Sequence, residues 1–273
     1  MHSVSYSLGL GALVRGLCAQ RALIGSMSRR DIRQRYKGSS IGLLWSLITP
    51  LLLLAAYTAV FGGIFRSRWG GAGSTTEFAL QLFCGLTLHT LVADCLTQSA
   101  TKLIAHASYV KRVVFPLEIL PVIVVVNALF HAAVSLLILV LAKILLLGGA
   151  GWPMLALPLV LAPLVLLCLG LSWFFGATTV YLRDLAQVTP LLTMLLLFLS
   201  PIFYPIQMVP AFLQPIILFS PLTIPVEQLR AIIMANQWPD WTLLGVYGLV
   251  SLAAAWCGYA WFQKTRKGFA DVL

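Results

Sequence analysis

Long apolar runs alternate along the chain with short, mostly basic interruptions. Runs at roughly 41–65, 78–100, 117–147, 153–181, 185–208 and 240–262 each reach the roughly 20 helical residues that cross a hydrocarbon core of about 30 Å. A lipid-spanning segment must satisfy its own backbone hydrogen bonds, so these runs predict six transmembrane helices. The boundary before the first run is abrupt. In "RRDIRQRYK" (29–37) six of nine residues are charged, and the apolar stretch begins at Ile41. Ser28 followed by Asp31 reads as a helix cap. Ile32 and Tyr36 then share one face while the arginines fan around the other, which predicts an amphipathic helix lying along the membrane surface.

The fifth run departs from the others. "LLTMLLLFLSPIFYPIQMVP" carries Pro201, Pro205 and Pro210, and each proline removes a backbone donor and crowds the preceding turn. Carbonyls freed in this way must face protein or a water-filled cavity. The stretch after it holds Pro215, Pro221 and Pro225 and reads either as short re-entrant helices before the last span or as an outer loop with interfacial anchors. The fold class is therefore all-α integral membrane, divided into an N-terminal segment (1–40), a six-span transmembrane domain (41–262) and a tail (263–273).

Composition agrees with lipid as the main solvent. The chain of 273 residues is 60% hydrophobic and 10% charged, far below the roughly 25% charged residues of soluble domains. Its net charge of +10 would suggest nucleic acid in a soluble protein, but the cations flank apolar runs. Fourteen Lys and Arg residues fall on one side of the predicted spans, and only Arg66, Arg68, Lys143 and Arg230 on the other. The positive-inside rule then places both termini in the cytoplasm. Residues 8–25 are only mildly apolar and are broken by Arg15 and Arg21, which argues against a cleavable signal segment.

Chemistry-bearing motifs are sparse. There is no G-x-x-x-x-G-K-[ST] loop for ATP, no H-E-x-x-H and no G-x-S-x-G. The five cysteines form no C-x-x-C pair, so neither a disulfide framework nor a metal site is indicated. His89, Asp94, His131 and Lys143 are the intramembrane ionisable groups, which are functional candidates by default. A bond from His89 to Asn127 is the structural reading. A second segment, "SATKLIAHASYVKRVVFPLEILP" (99–121), is longer and more apolar than a topology loop requires.

"SRRDIRQRYKGSSIGLLWSLITPLL" resembles the N-terminal signature of polysaccharide-export permeases of ATP-binding-cassette transporters. The matching positions are Arg35, Tyr36, Lys37, Ile41, Gly42, Leu43, Leu44, Trp45 and Pro50, with Ile41 in the usual Leu place. The likeness continues in order at "YVKRVVFPLEILP", "YLRDLAQVTPLL", "LSPIFYP", "SPLTIPVEQLR" and "GFADVL". The O-antigen and teichoic-acid branches share these pieces. The resemblance implies a homodimeric channel in the bacterial inner membrane, with two nucleotide-binding ATPase subunits docked beneath it. The chain itself would be no enzyme and would hold no cofactor, since ATP and Mg would bind the ATPase partner. The substrate would be an undecaprenyl-diphosphate-linked polysaccharide; no nucleic acid is expected. The family's interface helix and coupling segment map onto residues 28–37 and 101–116, which assigns ATPase coupling to Arg30, Arg33, Arg35, Tyr36, Lys37, His106, Tyr109, Lys111 and Arg112. Topology anchoring on anionic lipid remains the competing role for the first of these segments.

Two further expectations concern the channel. Glu118 at the start of span three could pair with Arg183, beside Asp184, and close the inner end. Aromatic platforms can hold sugar rings without deep desolvation, and Trp45, Tyr57, Phe61 and Phe65 of span one and Phe198, Phe203 and Tyr204 of span five are the candidates. Tyr57, Phe61 and Phe65 recur every four residues and so stripe one face. The competing role for these rings is an interfacial belt. A proton-coupled carrier would show inverted repeats with a broken helix in each half. A membrane-embedded enzyme acting on a lipid-linked glycan would need paired carboxylates or a metal cluster, and a drug exporter of the same superfamily would lack the joint signatures.

Overall fold

The caps set where the long helices begin and end. The computed structural model describes residues 10–60, 74–107, 115–149 and 151–272, and every regular element among them is helical. Two short helices, α1 (Leu10–Ala19) and α2 (Arg21–Arg35), precede α3 (Trp45–Tyr57). α4 (Thr75–Ala105) starts at Ser74, whose hydroxyl accepts from the Glu77 N–H at 3.1 Å, one arm of a capping box. α5 (Ile119–Leu147) ends where Gly148 and Gly149 take positive φ, a backbone that glycine adopts without strain. α6 (Leu157–Tyr181), α7 (Leu185–Phe198), α8 (Gln214–Leu218) and α9 (Thr223–Ile233) follow. α10 (Trp241–Thr265) begins at Asp240, whose carboxylate accepts from the N–H groups of Thr242 and Leu243. α11 (Phe269–Val272) ends the described chain.

Among the described residues, five segments are long and apolar enough to cross a membrane: Gly42–Val60, Thr75–Ala105, Ile119–Leu147, Trp152–Tyr181 and Trp241–Gly268. The predicted fifth span, 185–208, is instead the shorter apolar helix α7 of 14 residues, about 21 Å long. It ends at Phe198 because Pro201 and Pro205 forbid continuation. Inside α7, Pro190 leaves the Ala186 carbonyl without its helical donor, and the Thr189 hydroxyl takes that place at 3.0 Å. The tail expected from 263 is continuous with α10 as far as Thr265. Its Phe269 then turns back into the bundle against Phe262 and Tyr181.

α4 is the hub, packing on α5, α6, α7 and α9, while α6 and α10 form the closest pair. A Cβ on Gly258 would stand 2.1 Å from the Gly170 carbonyl oxygen, so these two backbones touch. Small residues allow such close packing where helices gain little from the hydrophobic effect. A second core, at the basic end of the bundle, gathers Leu13 and Met27 from α1 and α2 with Ile119, Trp173, Phe262 and Phe269. The cap expected at Ser28 does not form, and Ser28 is a buried mid-helix residue.

The first span contrasts with the hub. Only 6% of its most apolar window is buried, against 67% for α4, so α3 sits at the edge and offers most of its leucines to lipid or to a partner. α7 is similar, burying only Thr189 and Thr193.

Candidate functional site

Two polar stripes face each other under α3. On α4, Thr87, Thr90, Asp94, Gln98 and Lys102 recur every three or four residues, which keeps them on one helix face over about 22 Å. On α5, Asn127, His131 and Ser135 recur every four. Between these stripes, α2 and α3 cover two adjoining cavities of about 510 and 240 Å³. Both are bounded by Arg35, Asp94 and His131, which form the waist between them. The larger cavity is lined further by Asp31, Gln34, Gln98, Lys102 and Asn127. The smaller is lined by Thr87, Thr90, Ser135 and the inner face of α3, where Trp45, Thr49, Leu53 and Tyr57 are spaced by four.

The charges around this cleft balance. Lys102 pairs with Asp31, both largely buried, and Arg35 stands 3.8 Å from Asp94. These pairs hold α2 on the bundle. The Tyr36 hydroxyl approaches His131 Nδ1 at 3.5 Å, with the two rings edge to face. Burial pushes the Tyr36 phenol above its ordinary range, with Arg35 opposing and Asp94 adding to the shift. What remains for a ligand is neutral hydrogen-bonding capacity. Asn127 is buried, and its carboxamide oxygen has no partner. The expected His89–Asn127 bond does not form, because His89 turns the other way and its Nε2 donates to the Thr193 carbonyl of α7 at 2.9 Å.

Arg30 and Arg33 project away from this cleft with Arg29 and Lys37, and together with Ser26 and Gln34 they bound an open cavity of about 450 Å³. The face of α2 that carries Asp31 thus docks inward while the other presents cations. His106 follows the end of α4, its Nδ1 donating to the Lys102 carbonyl at 2.9 Å. Tyr109, Lys111 and Arg112 of the second coupling segment lie outside the described residues, as do Phe61 and Phe65.

The proposed inner gate needs correcting. Glu118 pairs with Arg266 at 3.0 Å rather than with Arg183. The inward turn of Phe269 carries Arg266 over the start of α5, whereas Arg183 and Asp184 stay exposed in the turn before α7. Trp45 donates its indole N–H to Ser39 Oγ at 2.9 Å and, with Tyr57, faces the cleft. Phe198 is exposed and stacks with Phe203, while the Tyr204 hydroxyl donates to the Phe198 carbonyl at 2.6 Å.

Arg230 is the residue that sequence reasoning missed. It was counted as an outer-side charge, yet it is buried in α9 and reaches back to the broken end of α7. Its guanidinium donates to the carbonyls of Pro201 at 2.6 Å, Ile202 at 2.8 Å and Gln81 at 3.2 Å, and it pairs with Glu227 at 3.1 Å. The carbonyls freed by the proline break are satisfied by a planar fork of donors that lysine could not supply.

The arrangement offers polar side chains to the cleft. Among the described residues no group of three or more His, Cys, Asp or Glu side chains could hold a metal. Comparison with known proteins agrees with a transport role. The chain is 25% identical over 263 residues to the O-antigen export system permease protein RfbA of Myxococcus xanthus, covering 96% of this chain and 99% of that one. It is 26% identical over 254 residues to the RfbA protein of Klebsiella pneumoniae, covering 92% and 95%. The polysialic acid transport protein KpsM of Escherichia coli is 22% identical over 256 residues, covering 92% and 96%. Residues 22–234 match the ABC-2 type transporter family, a stretch running from α2 to just past α9. With that match running over most of its length, this chain belongs to the ABC-2 type transporter family.

Proposed function

We propose that the chain is the permease subunit of an ATP-driven exporter of carrier-linked surface polysaccharide, most closely of the O-antigen kind. The observation that carries this reading is the near full-length similarity to relatives named O-antigen export permeases. In this reading two copies face one another through α3 and α7, the two membrane helices with the least buried surface. Two ATPase subunits, which hold ATP and Mg, dock beneath them on the cation face of α2 and on the 101–116 segment. The complex sits in the bacterial inner membrane with both termini cytoplasmic. Its substrate is a polysaccharide on an undecaprenyl diphosphate carrier, moved outward. The relative named for polysialic acid transport supports a second reading, export of another surface glycan by the same means.

Deletion of the gene for this chain tests the proposal. The expected result is loss of surface polysaccharide with lipid-linked glycan accumulating inside the cell. Unchanged surface polysaccharide would overturn it.

A further inference from the structure

We propose that the cleft between α2, α4 and α5 is a saccharide-binding site that holds a sugar unit of the transported glycan; this rests on the polysaccharide-export reading. Charge selects the ligand class. Asp31 and Asp94 would repel a phosphate, and Lys102 and Arg35 would repel a cation. Each carboxylate is already matched by one of these cations, so a neutral ligand suits the site.

Hydrogen-bonding chemistry narrows the class. Gln98 and Asn127 carry carboxamides, which donate and accept, and Asp94 can accept while it stays beside Arg35. Sugar hydroxyls do both, so they match such a mixed set. The buried Asn127 oxygen lacks a partner, and a buried acceptor left unpaired is costly and calls for an explanation. Asn127 also lines the cavity, and a rotation of its carboxamide toward that space would let a sugar hydroxyl donate to the oxygen. The cavity of about 510 Å³ lies within the roughly 300–1,000 Å³ of small-molecule pockets. It joins the smaller cavity, where Trp45 and Tyr57 offer apolar ring surface to the C–H faces of a sugar.

Saturation-transfer NMR on the full chain in lipid nanodiscs tests the site, with methyl glycosides of glucose, galactose, mannose, rhamnose and N-acetylglucosamine as probes. At least one glycoside should receive saturation. Its affinity should fall about tenfold in Asn127→Leu or Gln98→Leu, as the loss of a buried hydrogen bond implies. Inorganic pyrophosphate should not displace it. Asn and Leu share the same branching and number of side-chain heavy atoms, and should either variant misfold, a diazirine-bearing galactoside on the unaltered chain gives the same reading. Crosslinks within 94–98 or 127–131 are expected. No saturation of any glycoside, equal affinity in folded variants, displacement by pyrophosphate, or crosslinks elsewhere would overturn the site. A strain whose polysaccharide export depends on this chain, but whose protein fails these measurements, defeats the site alone. Export that survives gene deletion defeats the exporter reading itself.

Discussion

The Arg230 guanidinium lies 2.8 Å from the Ile202 carbonyl, across 28 residues of chain, and so ties α9 to the loop that ends α7. Removing one partner from a buried charged cluster costs about 3–5 kcal/mol. Arg230→Met should therefore lower the thermal midpoint markedly, and Arg230→Lys should recover only part of the loss because its ammonium cannot fork. Differential scanning fluorimetry of the purified variants checks this. A midpoint unchanged in Arg230→Met would contradict the role given to the clamp.

Gly258 should tolerate no side chain. Even Ala places a Cβ against the Gly170 backbone, and overpacking of this kind costs about 1–3 kcal/mol. Gly245 lies on the same helix with nothing within 4 Å of its would-be Cβ. Gly245→Ala should be neutral or stabilising by up to about 1 kcal/mol. Comparing the unfolding of Gly258→Ala and Gly245→Ala separates a contact effect from a general intolerance of this helix.

Lys102 and Asp31 hold the interface helix to the bundle. Lys102→Glu should place two carboxylates together and free α2, raising its susceptibility to trypsin at the Arg29–Arg35 cluster. The exchanged pair Asp31→Lys/Lys102→Glu should restore protection, with a coupling of about 0.5–3 kcal/mol. If the double variant is cleaved as fast as the single, the pair does not secure the helix.

Arg266 and Arg183 make opposite predictions. Arg266→Glu faces Glu118 directly and should destabilise the packing of the turn around Phe269. Arg183→Glu lies exposed and should leave the unfolding free energy within about 0.5 kcal/mol of the parent. The reverse order of sensitivity would restore the pairing expected from the sequence.

Much of this was legible in the chain itself. The long apolar runs mark the spans because lipid exposure requires apolar residues nearly all round a helix, and the prolines after Leu199 mark the break. The length of the fifth helix was overread, since an apolar run does not reveal where the backbone leaves the helix. The polar stripes were equally readable. Thr87, Thr90, Asp94, Gln98 and Lys102 announce one face by spacing alone, but weighing Asp94 and His131 as single ionisable groups hid the pattern. Arg230 was not readable. Glu227, three residues before it, is visible in the sequence, but its other partners are carbonyls at Gln81, Pro201 and Ile202, and backbone acceptors brought together by tertiary packing leave no mark there. The choice of Arg266 over Arg183 for Glu118 likewise depended on how Phe269 folds the tail back.

The conduit prediction rests on the rings that the structure describes. Tyr57→Ala with Phe198→Ala should reduce export while the protein remains folded, because one ring lines the cleft and the other is exposed at the end of α7. Normal surface polysaccharide at matched expression would remove these two rings from the path.

Reconstitution tests the central claim most directly. The chain is co-purified with its cognate ATPase, placed in liposomes and given a polyprenyl-diphosphate-linked glycan on the ATPase side. The account predicts ATP-dependent appearance of the glycan on the opposite face, read by a lectin confined to that compartment, and none with the permease omitted. Glycan that stays on the loading side despite ATP turnover, or crosses equally without ATP, would contradict it.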